Sequence, residues 1–207
     1  MFLTASALVC LYALPKACWV VSVPSITLLV LYPFAKRFTD FPQAILGVQV
    51  SLGFIMGMGA INSELFTDMG DIVDTWDGNR ELWAIAAFYS ANICWTIIYD
   101  TVYAQQDVED DAKAGVRSMA VRFRGNTKTV LWASLIMQTS LLLMCGYWGD
   151  FGGRYMTVAC GGTTTSLGFM IWTIDLTNPD ECMWWFKNGC WLVGLSISAG
   201  LGLETLR

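Results

Sequence analysis

Residues 99–111 read Tyr-Asp-Thr-Val-Tyr-Ala-Gln-Gln-Asp-Val-Glu-Asp-Asp and follow directly on a predominantly apolar run that begins at Leu82. Twenty-odd apolar residues are what an α-helix needs to cross about 30 Å of hydrocarbon at 1.5 Å per residue. That the run ends in acids, and that Asp100 still belongs to it, places ionisable groups at the end of a membrane span. An ionisable residue there is costly and points to function.

The rest of the chain has the same texture. Of 207 residues 55% are hydrophobic and 14% charged, against about a quarter charged in soluble domains. The mean hydropathy is +0.50. Apolar blocks fall at 1–14, 17–34, 44–61, 82–103, 130–148, 155–174 and 189–203. The expected fold class is therefore all-α, a polytopic transmembrane helical bundle of about seven spans in one domain, 1–207. Met1 to Leu14 carries no basic leader and no small-residue cleavage site, so it reads as a helix rather than a signal peptide.

Composition also excludes functions. There is no histidine, which removes His-based triads, His metal sites and imidazole proton shuttles. A net charge of −5 argues against nucleic acid as a partner. The seven cysteines show no C-x-x-C spacing and read as small hydrophobes. Lys and Arg divide eight to four between alternate loops, so the 104–129 loop is expected on the cytoplasmic or matrix side. The 62–81 loop opposite holds six carboxylates against Arg80 and reads as a solvated loop. Gly53 and Gly57 form a G-x-x-x-G, the pattern that lets helices approach closely in lipid.

If the fourth helix runs unbroken to about Ala114, Asp100, Asp107 and Asp111 stand at i, i+7 and i+11. They then project within about 40° of one another, with Tyr103 beside them. Carboxylates ~6 Å apart repel by about 2–3 kcal/mol per pair at an effective dielectric near 20. A hard divalent ion offsets that repulsion, and Mg2+ is typically held by one or two carboxylates, waters and substrate phosphate oxygens. Lys113 and Arg117 follow at once and suit outer phosphate oxygens. Tyr32 and Lys36, one turn apart at the end of the second span on the same membrane side, present a hydroxyl and an ammonium to a common anion.

These residues resemble a known family. Asp100-x-x-Tyr103-Ala104-x-Gln106-Asp107-x-x-Asp110-Asp111 is similar to the second aspartate-rich motif of the UbiA-type intramembrane prenyltransferases. Tyr32-x-x-x-Lys36, the run Lys36-Arg37-Phe38-Thr39 and Asn178-Pro179-x-x-Cys182 resemble the 4-hydroxybenzoate polyprenyltransferase branch and its fungal meroterpenoid relatives. The resemblance implies a helical bundle that joins a prenyl diphosphate to an aromatic acceptor with Mg2+. By position, Asp107, Asp111 and Asp100 would hold the metal, and Tyr32, Lys36 and Arg37 the diphosphate. Tyr103 would face the allylic cation, with the lipid bilayer around the bundle. It further implies that the seven blocks match the family's third to ninth spans, without its N-D-x-x-D motif, and that this chain alone turns over little. The rival class is a non-catalytic membrane bundle: a truncated pseudoenzyme, or a transporter with midplane helix breaks and paired repeats. Neither breaks nor repeats are visible.

Overall fold

In the computed structural model, residues 2–61 and 79–206 are described. The acidic loop foreseen at 62–81 lies mostly outside them. All seven apolar blocks become helical. The long helices are α1 (Phe2–Tyr12), α2 (Lys16–Phe38), α3 (Pro42–Ile61) and α4 (Arg80–Ala104). A single 3-10 turn, Gln105–Asp107, leads from α4 into the short α5 (Val108–Lys113), and α6 (Met119–Arg122) follows. Then come α7 (Thr127–Trp148), a π-helical segment Tyr155–Gly161 continuous with α8 (Gly162–Thr173), and α9 (Pro179–Thr205). Among the described residues four helices are long and apolar enough to cross a membrane: α2, α3, α4 with its extension to Lys113, and α7. The chain is an all-α membrane bundle.

Local chemistry sets the boundaries. Asn79 caps α4, its side-chain oxygen accepting from the amides of Glu81 and Leu82. Asn178 caps α9 in the same way through Asp180 and Glu181, with Pro179 at the first helical position. An Asn cap and acids in the first turn satisfy orphan amides and oppose the helix dipole. That cap is why α9 begins at 179, ten residues before the apolar block foreseen at 189.

Packing centres on α4. Ile98, Tyr99 and Val102 of α4 meet Leu131 and Leu135 of α7, Leu167, Met170 and Ile171 of α8, and Cys182, Trp185 and Val193 of α9 in one buried cluster. α3 packs on the other side of α4, and α2 packs on α3. The outward side chains of α2, such as Val20, Val23, Ile26 and Val30, are exposed, as suits a lipid-facing helix. Helix association in lipid rests on close van der Waals contact, so small residues decide it. Between α3 and α4 the close approach is at Gly47, where a Cβ would stand 2.9 Å from Ile93 Cγ2 and 3.1 Å from the Ile93 carbonyl. The expected seam at Gly53 and Gly57 is corrected, since a Cβ at either meets no described atom within 4 Å. Those two glycines are exposed.

Candidate functional site

The site lies where α2 and α4 end on the same side of the bundle. The Tyr32 hydroxyl donates to Asp100 Oδ2 at 3.4 Å, across 68 residues of sequence. The Lys36 ammonium sits 5.5 Å from the centre of the Tyr32 ring and acts electrostatically on Asp100. Asp111 and Tyr103 also lie close enough to the Tyr32 hydroxyl to act on it. Tyr32, Lys36, Asp100, Tyr103 and Asp111 are thus brought together. Arg37, next to Lys36 in the last turn of α2, is exposed. Two cations at a helix C-terminus are stabilised by the helix dipole.

The uninterrupted stripe is corrected. The 3-10 turn places three residues at about 120° each rather than 100°, which carries everything beyond it about 60° further round the axis. Asp107 itself leaves helical geometry, with φ −112° and ψ 10°. Its side chain is exposed, whereas Asp100 and Asp111 are half-buried. Among the described residues no three carboxylates or thiols gather closely enough to enclose a metal ion.

The cations after the motif are engaged elsewhere. Lys113 pairs with Asp110 at 3.3 Å on the exposed face of α5. Arg117 donates to the Phe38 carbonyl at 3.2 Å and, with Arg122, flanks Asp40 at 4.0 and 3.8 Å. Asp40, which the sequence reading passes over, is therefore part of the surroundings of the site. A signal existed: it is the only acid between the Lys36-Arg37 pair and α3. Exposed pairs of this kind are worth about 0–1 kcal/mol each, so they steer rather than stabilise.

Tyr103 stacks on Phe186 with ring centres 4.7 Å apart, and Trp95 on Tyr99 at 5.2 Å. The first pair joins α4 to α9, and the second lies on α4 with Tyr99 in the buried cluster. On the opposite side of α5 a cavity of about 790 Å³ is lined by Gln105, Glu109, Asp110, Arg124 and Lys128 among others. It touches none of Tyr32, Lys36, Asp100 or Asp111. Its Glu109 is already paired with Arg124 at 3.0 Å.

The donor set suits a hard cation: half-buried carboxylates from the end of α4 and from α5, with a hydroxyl and an ammonium on α2 for the anion that would share the metal. Fold and site together define an α-helical membrane protein with an acid–cation cluster at one mouth of the bundle. Residues 1–195 match the model of the UbiA prenyltransferase family, and the chain belongs to that family. It is 33% identical over 184 residues to the mitochondrial 4-hydroxybenzoate polyprenyltransferase of Schizosaccharomyces pombe, covering 89% of this chain and 48% of that protein. The corresponding enzyme of Caenorhabditis elegans is 35% identical over 186 residues, or 90% and 48%. The 4-hydroxybenzoate octaprenyltransferase of Colwellia psychrerythraea is 34% identical over 187 residues, or 89% and 58%. The chain spans about half the length of the curated relatives it matches. No solved structure matches it significantly.

Proposed function

We propose that this chain carries the diphosphate-handling part of a prenyltransferase that moves a prenyl group from a polyprenyl diphosphate to an aromatic acceptor within the membrane. The observation that carries the reading is the meeting of Tyr32 with Asp100 at 3.4 Å under the Lys36 ammonium. A hydroxyl, a cation and acids converge there from two helices at the depth where a lipid diphosphate sits. The names of the relatives supply the acceptor class, a 4-hydroxybenzoate-like phenolic acid, and a polyketide-derived phenolic acid is the second substrate to test.

Asp100 and Asp111 would hold a divalent cation, for which Mg2+ is the natural choice with one or two carboxylates, and Asp107 stands at the exposed edge of the site. When bound, that ion neutralises charge developing on the leaving pyrophosphate. Lys36 and Arg37 supply the protein's own share of this stabilisation at the phosphate oxygens, while Lys113 and Arg117 are held by Asp110, Asp40 and the Phe38 carbonyl. Tyr32, tied to Asp100, presents its hydroxyl at the same place. As the allylic C–O bond breaks, the carbocation lies against Tyr103, whose ring face attracts positive charge. The Phe186 ring stacked on Tyr103 adds apolar surface that helps keep water away. A ring carbon of the acceptor then forms the new C–C bond, and the ring regains aromaticity by losing a proton. The Lys and Arg residues of the 104–129 loop support a cytoplasmic or matrix-side position for this site.

The test is to incubate membranes containing the chain with a radiolabelled polyprenyl diphosphate and 4-hydroxybenzoate, with and without Mg2+. Metal-dependent prenylated product, lost in Lys36→Ala and Asp111→Ala, supports the reading. Product formed equally by those variants refutes the site. Absence of both product and Mg2+–pyrophosphate binding in the wild type refutes the function.

A further inference from the structure

The segment between α5 and α6 is tied to both halves of the site by consecutive residues. The Val116 amide donates to the Asp111 carbonyl at 2.9 Å, and the Arg117 amide to the Lys36 carbonyl, also at 2.9 Å. Gly115, at φ +71°, makes the left-handed turn that aims both amides, a conformation that favours glycine. The main packing partner of α2 is α3 rather than α4. The end of α2 that bears Lys36 thus depends on this strap to hold its distance from the acids.

What anchors the strap is a side chain. The Met119 amide donates to Gln43 Oε1 at 3.1 Å, and Gln43 is 1% exposed. Met119 is the first residue of the four-residue α6, where an amide has no partner within its own helix. The local cap, Ser118, is occupied, its hydroxyl accepting from Val121. Gln43 therefore acts as a cap delivered from 76 residues away, and it stands in the first turn of α3, directly after the α2–α3 turn. Asp40 adds a second hold, between Arg117 and Arg122.

We propose that Gln43, assisted by Asp40, is a positioning residue for the diphosphate site: by clamping the 114–119 strap to the α2–α3 turn it sets where Lys36 stands relative to Asp111. This rests on the prenyl-diphosphate reading above. Gln43 touches no substrate and acts through the strap alone. Gln43→Met keeps the length and volume of the side chain but removes the acceptor, whereas Gln43→Glu keeps an acceptor oxygen.

The experiment uses the full chain in detergent, with amide hydrogen exchange over 114–122 and calorimetric titration with Mg2+ and inorganic pyrophosphate. Loss of a buried acceptor is expected to speed exchange across the strap about tenfold. In Gln43→Met the pyrophosphate dissociation constant should rise by about the same factor, at unchanged helical circular dichroism. Gln43→Glu should restore both to within about threefold of wild type, a rescue that generic destabilisation does not predict. Unchanged exchange in Gln43→Met overturns the clamp. Faster exchange with unchanged pyrophosphate binding overturns the positioning role, as does failure of Glu to rescue. If Gln43→Met does not fold, Asp40→Asn decides. Its side chain is on the surface, and both readouts should move together by about two- to threefold; no change in either refutes the proposal. A wild type that exchanges slowly over the strap yet binds no pyrophosphate refutes the diphosphate reading, and the positioning role with it.

Discussion

Tyr32→Phe isolates the contact on which the functional reading rests. The substitution removes one oxygen and leaves the ring, so the placement of Lys36 over that ring at 5.5 Å is retained. What disappears is the donor to Asp100 at 3.4 Å. Hydrogen bonds to charged groups contribute about 1.5–3 kcal/mol, and this one is longer than the usual 2.5–3.0 Å between oxygens. The low end, about 1.5 kcal/mol, is the appropriate magnitude, or roughly a tenfold change in an equilibrium constant. If the hydroxyl serves the anion, titration with Mg2+ and pyrophosphate should show affinity about tenfold weaker in Tyr32→Phe. The control is Tyr89→Phe, whose hydroxyl donates to the Val48 carbonyl at 3.0 Å between α4 and α3. That bond is structural, so its loss should lower thermal stability without altering pyrophosphate affinity. Binding by Tyr32→Phe within twofold of wild type, or equal weakening in Tyr89→Phe, would refute the reasoning.

Three further predictions follow from the geometry. Asp111→Ala should reduce Mg2+-dependent product by about a hundredfold or more, the scale of lost metal-assisted charge stabilisation; Asp107→Ala, at an exposed position, should still impair transfer but less, and product yields against Mg2+ concentration would show the order. Gly47→Val drives a branched side chain into Ile93, 2.9 Å from the ideal Cβ, and should cost about 1–3 kcal/mol of stability; Gly53→Val, in open space, should leave the thermal midpoint nearly unchanged. The Asp175 carboxyl lies below the ordinary carboxylate range because the Thr177 hydroxyl and amide donate to it. A depressed folded value means this turn is favoured above the unfolded pKa near 4. The contribution is lost as pH falls through the lower value, and Thr177→Val should raise the midpoint of its NMR titration.

Much of this protein can be read locally. Apolar blocks of membrane-crossing length become helices because a buried backbone in lipid must satisfy its own hydrogen bonds. Block composition alone therefore predicts α2, α3, α4 and α7. The acids of 100–111 announce a charged site at a membrane surface, whereas the Asn79 and Asn178 caps, local in their chemistry, set helix starts that apolar blocks do not mark. The tertiary structure decided what depends on neighbours distant in sequence. Tyr32 and Asp100 meet across 68 residues, a distance no periodicity encodes. The 3-10 turn ended the single stripe by rotating every later side chain, and Asp107, whose own backbone leaves helical geometry, was left exposed while Asp100 and Asp111 stayed half-buried. Glycine spacing shows where helices are permitted to approach. Which glycine is used, Gly47 rather than Gly53 or Gly57, was settled by where Ile93 of α4 comes to rest.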